Sequence, residues 1–190
     1  MGEIMADLPF YEQSGGGVTF SGGEPLSQPE FLIELLSACR VYGLHTALDT
    51  SGYASWDILN QVRDDIDLFL YDIKLVDEQQ HLHYTGVSND LILRNLERLS
   101  QEGHRIVIRV PVIPGITDSL ENIAAIGAFA SGLPGMQRID LLPYHSITEG
   151  KYTRLDKKYP LTGMKPPPDD HLYALQRTLE EFGYAVTIGG

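Results

Sequence analysis

The stretch Val18-Thr19-Phe20-Ser21-Gly22-Gly23-Glu24-Pro25 decides the fold. Three strand-forming residues stop at two glycines, an acid and a proline, and an apolar-periodic run follows. In that run Pro29 falls in the first turn of a helix. Phe31, Leu32, Leu35, Leu36 and Cys39 share one face of it, and Gly43 ends it. A strand, a glycine-bearing turn and an amphipathic helix make one β–α unit, and the unit recurs. Further strands are expected over 44–48, 68–71, 106–110, 139–142 and 184–188. Ser55 reads as the cap of a helix through Val62, Asp77 as the cap of one through Tyr84, and Asn89 as the cap of one through Ser100. Asp118 opens a helix to Ala130, and Asp169 opens one to Phe182. The segment 149–168, with Lys165-Pro166-Pro167-Pro168, reads as a long loop. Strands that alternate with helices, and are themselves nearly all apolar, imply an α/β fold with a parallel sheet covered by helices.

Composition sets the outer bounds. The 190 residues carry 14 Lys and Arg against 26 Asp and Glu, a net charge of −12, with 43% apolar and 21% charged residues. This is a globular composition, long enough for one sizeable core, and a single domain over 1–190 is expected. The acidic balance argues against nucleic acid as a partner, which needs clustered Lys and Arg to neutralise phosphates. No apolar run reaches the length of a membrane span, and residues 1–9 lack a signal-peptide pattern. The single cysteine, Cys39, rules out a disulfide framework within these residues and fits a reducing, cytoplasmic compartment.

The polar clusters fall at the carboxyl ends of expected strands: Ser21-Gly22-Gly23-Glu24-Pro25, Asp49-Thr50-Ser51-Gly52, Asp72-Ile73-Lys74, Arg109 with Pro111 to Gly115, and Pro143-Tyr144-His145. In parallel α/β folds that rim carries the site. Gly22 and Gly23 let a ligand approach main chain without side-chain clash. Glu24 adds a carboxylate suited to a cationic amine, Asp49 and Asp72 add two more beside the Thr50 hydroxyl, and Lys74 suits a ligand carboxylate. His145, Val110 and Leu142 could pack an aromatic base. The set reads as a host for a nucleoside joined to an amino acid.

Other features have plainer readings. Ser14 to Gly17 precedes a strand and lacks the Lys-Ser or Lys-Thr of a phosphate loop, so it reads as a turn. His81 and His83, two apart on a helix, point to different faces and read as exposed or partly packed rather than as a metal pair. Asp64, Asp65 and Asp67 read as a solvated loop, and Trp56 as packing. Asp49 and Asp72 could instead cap helices or pair with Lys74. Arg109 could be an ion-pair partner of Glu24 or Asp72, and His145 a satisfied turn histidine.

Taken in order, Ser21-Gly22-Gly23-Glu24-Pro25, Asp49-Thr50-Ser51-Gly52, Asp72-Ile73-Lys74, Tyr84-Thr85-Gly86-Val87-Ser88-Asn89, Arg109-Val110-Pro111-Val112-Ile113-Pro114-Gly115 and Leu141-Leu142-Pro143-Tyr144-His145 resemble the glycyl-radical-enzyme activating enzymes. These belong to the radical S-adenosylmethionine superfamily, with pyruvate formate-lyase activating enzyme as the best-known member. The resemblance implies a partial (β/α)6 TIM-like barrel. It implies that Gly22, Gly23 and Glu24 bind the methionyl amine of S-adenosylmethionine, that Lys74 meets its carboxylate, and that His145, with Val110 and Leu142, lies near the adenine. Asp49, Thr50 and Asp72 match positions around that carboxylate that can hold a monovalent cation. Arg109 matches a catalytic position beside the cofactor and the incoming peptide.

The family's reaction starts from an electron delivered to a [4Fe-4S] cluster by flavodoxin or ferredoxin. A 5′-deoxyadenosyl radical then removes hydrogen from a glycine loop of a partner glycyl radical enzyme. The Cys-x-x-x-Cys-x-x-Cys motif that holds the family's cluster is absent from these residues. The residues around Phe10-Tyr11 and Ser14 to Thr19 resemble activases with a ferredoxin-like insertion. The chain therefore reads as a C-terminal piece lacking the first strand and helix of the barrel. It is expected to be inactive alone, to bind S-adenosylmethionine weakly at best, and to self-associate through the open barrel edge. Two other classes compete: a nucleoside- or protein-binding module without a cluster or catalysis, and a metal-dependent hydrolase on a (β/α)8 barrel. The hydrolase needs histidine ligands at strand ends, where only His145 falls.

Overall fold

The computed structural model describes Tyr11, Gln13 and residues 16–145 and 163–189. Six strands, β1 (Gly17–Phe20), β2 (His45–Thr50), β3 (Leu68–Asp72), β4 (Ile106–Val112), β5 (Met136–Pro143) and β6 (Val186–Ile188), follow one another in chain order across one sheet. The helices between them are α1 (Pro29–Val41), α2 (Trp56–Val62), α3 (Glu78–Thr85), α4 (Asp90–Gln101), α5 (Leu120–Ala130) and α6 (Asp169–Glu180). The β1/β2, β2/β3 and β5/β6 pairs are parallel. This is the α/β class read from the sequence, and each of the six expected strands is present.

By packing, the chain divides into two interleaved compact units. The first runs to Asp72 and takes in Ser88–Ile108 and Leu133–Gln137; the second comprises Ile73–Val87, Arg109–Gly132 and the chain from Arg138 onward. In the first unit Leu32, Leu36 and Cys39 of α1, Leu59 and Val62 of α2, and Ile92, Leu96 and Leu99 of α4 are buried with Leu48, Phe69 and Tyr71 of the strands. Cys39 is wholly buried, and burial raises its thiol pKa. In the second, Ile123, Ile126 and Ala130 of α5 and Leu172, Leu175 and Leu179 of α6 are buried with Val110, Val112, Ile139 and Leu141. The i, i+3, i+4 and i+7 spacing of these residues is the pattern that puts one helix face on a sheet.

Several readings change. Helix α5 is capped by Ser119, whose hydroxyl accepts from Asn122 N (3.1 Å), and not by Asp118. Asp118 instead closes the preceding loop by accepting from Gly115 N (2.7 Å). Strand β5 starts at Met136, three residues before its expected start at Ile139. There Arg138 stays in the strand by gripping the buried carboxylate of Asp140 (Nε to Oδ1, 2.7 Å), which Thr187 of β6 also meets (2.5 Å). His81 is buried, its Nδ1 2.9 Å from the Val87 carbonyl, and so ties α3 to the Tyr84–Asn89 loop, while His83 is exposed. Asp67 is not simply solvated, because its Oδ2 accepts from Thr46 N (2.8 Å) at the start of β2. The loop read over 149–168 lies mostly outside the described residues. Among the described residues no helix is long and apolar enough to cross a membrane.

Candidate functional site

In the first unit the carboxyl ends of β1, β2 and β3 lie side by side, with Phe20 opposite Leu48 and Thr50 opposite Tyr71. Ser21, Gly22 and Gly23 are exposed. Gly22 has a φ of 121°, a backbone that L side chains rarely adopt, and a Cβ on Gly22 or Gly23 would meet nothing within 4 Å. The chain then turns into a 3₁₀ segment, Pro25–Ser27, capped by Glu24.

The Glu24 carboxylate is the hub of this corner. Its Oε1 accepts from Thr50 Oγ1 (2.7 Å) and Leu26 N (3.2 Å), and its Oε2 accepts from Ser51 N (2.9 Å) and Ser51 Oγ (2.6 Å). Four donors match the acceptor capacity of one carboxylate. Glu24 thus cross-links the turn after β1 to the turn after β2. The Thr50 hydroxyl, buried, accepts in turn from Gly52 N (2.9 Å). Ser21 Oγ donates to Asp49 Oδ2 (2.8 Å), a second tie between the same strand ends. Asp72 ends β3 one residue beyond Tyr71.

Residues outside the expected set hold this corner from behind. Gly52 has a φ of 69°, and a Cβ there would sit 1.6 Å from the Tyr71 hydroxyl oxygen. Tyr71 is wholly buried and donates to the Ile92 carbonyl (2.7 Å). Burial, and then the negative charge of Glu24, hold its phenol pKa well above the ordinary value. Asn95, buried on α4, donates both amide hydrogens, to Gly52 O (2.9 Å) and Ala54 O (2.8 Å). The sequence carried a signal for Asn95: a polar residue on the apolar face formed by Ile92, Leu96 and Leu99. Trp56 packs as read, with the Arg98 guanidinium 3.9 Å from its ring centroid.

In the second unit Ile73 N donates to Arg109 O (2.9 Å), which sets the Ile73-Lys74 segment beside the middle of β4, because that strand runs past its expected end at Val110 to Val112 and leaves Arg109 within it. Lys74 and Arg109 are half-buried. Val110 is wholly buried and belongs to the core, Leu142 is half-buried and His145 exposed. Tyr144 N donates to Val112 O (3.0 Å), fixing the end of β5 against β4. Asn122 of α5 and Thr117 hold the turns here. Asn122 Nδ2 donates to Lys74 O and to Thr117 O (both 2.9 Å), and the Thr117 hydroxyl accepts from Ile113 N (2.8 Å) and donates to Pro111 O.

Each unit therefore presents its own set, the first at strand ends and the second on Lys74, just after β3, and Arg109, within β4. The first offers open main chain and carboxylates, suited to a cationic amine. The second offers an ammonium and a guanidinium, suited to a carboxylate. The chemistry of each set fits one end of a zwitterion. It does not fit a cluster held by three thiolates, because these 190 residues contain one cysteine, and that one is buried.

A model of the radical SAM superfamily matches residues 2–125. The trans-4-hydroxy-L-proline dehydratase activating enzyme of Clostridioides difficile is 42% identical over 190 residues, covering 99% of this chain and 63% of that protein. The choline trimethylamine-lyase activating enzyme of Oleidesulfovibrio alaskensis is 39% identical over 188 residues, covering 97% and 61%. The chain thus spans about three-fifths of the length of these curated relatives. Among solved structures, a domain of pyruvate-formate lyase-activating enzyme from Bacteroides vulgatus matches with a TM-score of 0.77 at 34% identity, covering 92% of this chain and 99% of that one.

Proposed function

Because the chain belongs to the radical SAM superfamily, among the activating enzymes of glycyl radical enzymes, we propose that it binds S-adenosylmethionine at the carboxyl ends of its strands. We further propose that the whole protein forms a glycyl radical on a partner enzyme whose glycine loop it receives, with flavodoxin or ferredoxin as electron donor. The observation that carries the binding proposal is the Glu24 corner. Its carboxylate is fully engaged by Thr50, Ser51 and Leu26, while the glycines before it stand open. Glu24 acts by holding this corner in shape. The acceptors for the methionyl amine are the main-chain carbonyls at Gly22 and Gly23 and, alongside the bond it takes from Ser21, the Asp49 carboxylate.

Thr50 and Asp72 complete that end, where a monovalent cation can also sit. Lys74 takes the methionyl carboxylate, His145 and Leu142 line the adenine, and Val110 supports them from the core. Arg109 faces the incoming peptide as the catalytic cation. Hydrogen-atom abstraction from glycine is the chemistry S-adenosylmethionine supplies in such an enzyme. No step through an iron–sulfur cluster is assigned to these residues, since Cys39 is buried and alone.

The test is a binding titration with S-adenosylmethionine and with 5′-methylthioadenosine, which keeps the nucleoside and lacks the amino acid. S-adenosylmethionine is expected to bind with a Kd of roughly 0.1–1 mM, a free energy of about 4–5.5 kcal/mol. Lys74→Ala removes a charge-assisted pair and is expected to weaken S-adenosylmethionine about tenfold while leaving 5′-methylthioadenosine within about twofold. Absence of binding, or equal affinities in Lys74→Ala and the parent protein, would overturn the reading.

A further inference from the structure

The geometry points to Asn122 as the positioning residue for Lys74, an inference that rests on the proposed role of Lys74 at the methionyl carboxylate. Asn122 is buried in the first turn of α5, where its N–H is taken by the Ser119 cap. Its side-chain amide spans the segment that follows β3. Oδ1 accepts from Val76 N (3.2 Å), and Nδ2 donates to Lys74 O (2.9 Å) and Thr117 O (2.9 Å). The orientation of the amide is fixed by its partners, because an N–H lies on one side and two carbonyls on the other. Lys74 is thus clamped on its own carbonyl and again two residues on, across Leu75, which is itself buried. The third bond joins this clamp to the loop after β4, where Thr117 bonds to Pro111 and Ile113.

Lysine carries a long, rotamer-rich side chain, so where its ammonium rests depends on how firmly its main chain is held. A half-buried Lys74 on a clamped backbone samples fewer positions for its charge, and a ligand carboxylate then has less to order on binding. Only asparagine supplies one acceptor and two donors at this reach. Aspartate would set a carboxylate against two carbonyl oxygens, and alanine would remove the side-chain donor to the buried Thr117 carbonyl and all three ties between Asn122 and the chain around it.

The experiment compares S-adenosylmethionine and 5′-methylthioadenosine on the parent protein, Asn122→Ala and Lys74→Ala. Asn122→Ala is expected to weaken S-adenosylmethionine about fivefold and 5′-methylthioadenosine less than twofold, with faster amide exchange at Val76. If Asn122→Ala does not fold, Asn122→Ser, which keeps a small polar group there, takes its place with the same expectation. Equal weakening of both ligands would mark a purely structural role and overturn the inference, as would unchanged binding of S-adenosylmethionine. A selective loss in Lys74→Ala without one at Asn122 overturns this inference alone. No loss in Lys74→Ala overturns the reading of Lys74 and this inference with it.

Discussion

Replacing Gly52 with alanine is expected to destabilise the protein by about 3–5 kcal/mol, among the largest effects of any single change at the site. Two effects add. A left-handed backbone with φ of 69° costs alanine roughly 1 kcal/mol relative to glycine. The greater penalty is steric, since the new methyl would sit 1.6 Å from the Tyr71 oxygen and 2.1 Å from its Cζ. Tyr71 is wholly buried and cannot swing aside without losing its bond to the Ile92 carbonyl, a loss of about 1–3 kcal/mol for the buried groups left behind. Gly43 supplies the control. It has a similar φ of 63° but open space at its Cβ, so Gly43→Ala should show only the backbone cost of roughly 1 kcal/mol. Chemical denaturation of both variants checks this. Equal costs at the two positions would mean that the Tyr71 contact does not constrain the turn.

Glu24→Ala carries the second large effect. It removes four hydrogen bonds at once and leaves the buried Thr50 hydroxyl without its acceptor. Hydrogen bonds to charged groups contribute about 1.5–3 kcal/mol each, but water reaches a half-buried carboxylate and the bonds are not additive, so a total of about 2–4 kcal/mol is expected. Glu24→Gln should recover little. Its amide keeps one acceptor oxygen but turns N–H donors toward donors already present. The expected signature is a fall in stability accompanied by weaker binding of S-adenosylmethionine, since the corner that holds its amine loses shape. Unchanged stability with lost binding would show instead that Glu24 meets the ligand directly.

The strands and their polar ends were legible because both signals are local. Val18 to Phe20 before Gly22-Gly23, or Ile106 to Val110 before Pro111, needs no knowledge of neighbours. The hidden parts depend on register. That Glu24 meets Thr50 and Ser51 follows from β1 lying beside β2 with Phe20 opposite Leu48, a pairing across more than twenty residues of chain. The partners of Asn95 and Asn122 were hidden in the same way: each side chain reaches back from a helix to the turn of an earlier strand, and only the packing reveals which carbonyls it meets. The early start of β5 was masked by Gln137 and Arg138, whose polarity reads as loop until Asp140 is seen to hold the guanidinium. Asp118 reads as the helix opener by sequence, but it is drawn into closing the Gly115 turn and the cap falls to Ser119.

Residue-resolved NMR of the protein titrated with S-adenosylmethionine shows where the ligand sits. Amide shifts are expected to gather at the turns after the strands, at Gly22, Gly23, Ser51 and Gly52 in the first unit and at Lys74 and His145 in the second. Shifts confined to the amino end of β2, around Gly43, His45 and Asp67, or no shifts at all, would contradict that placement.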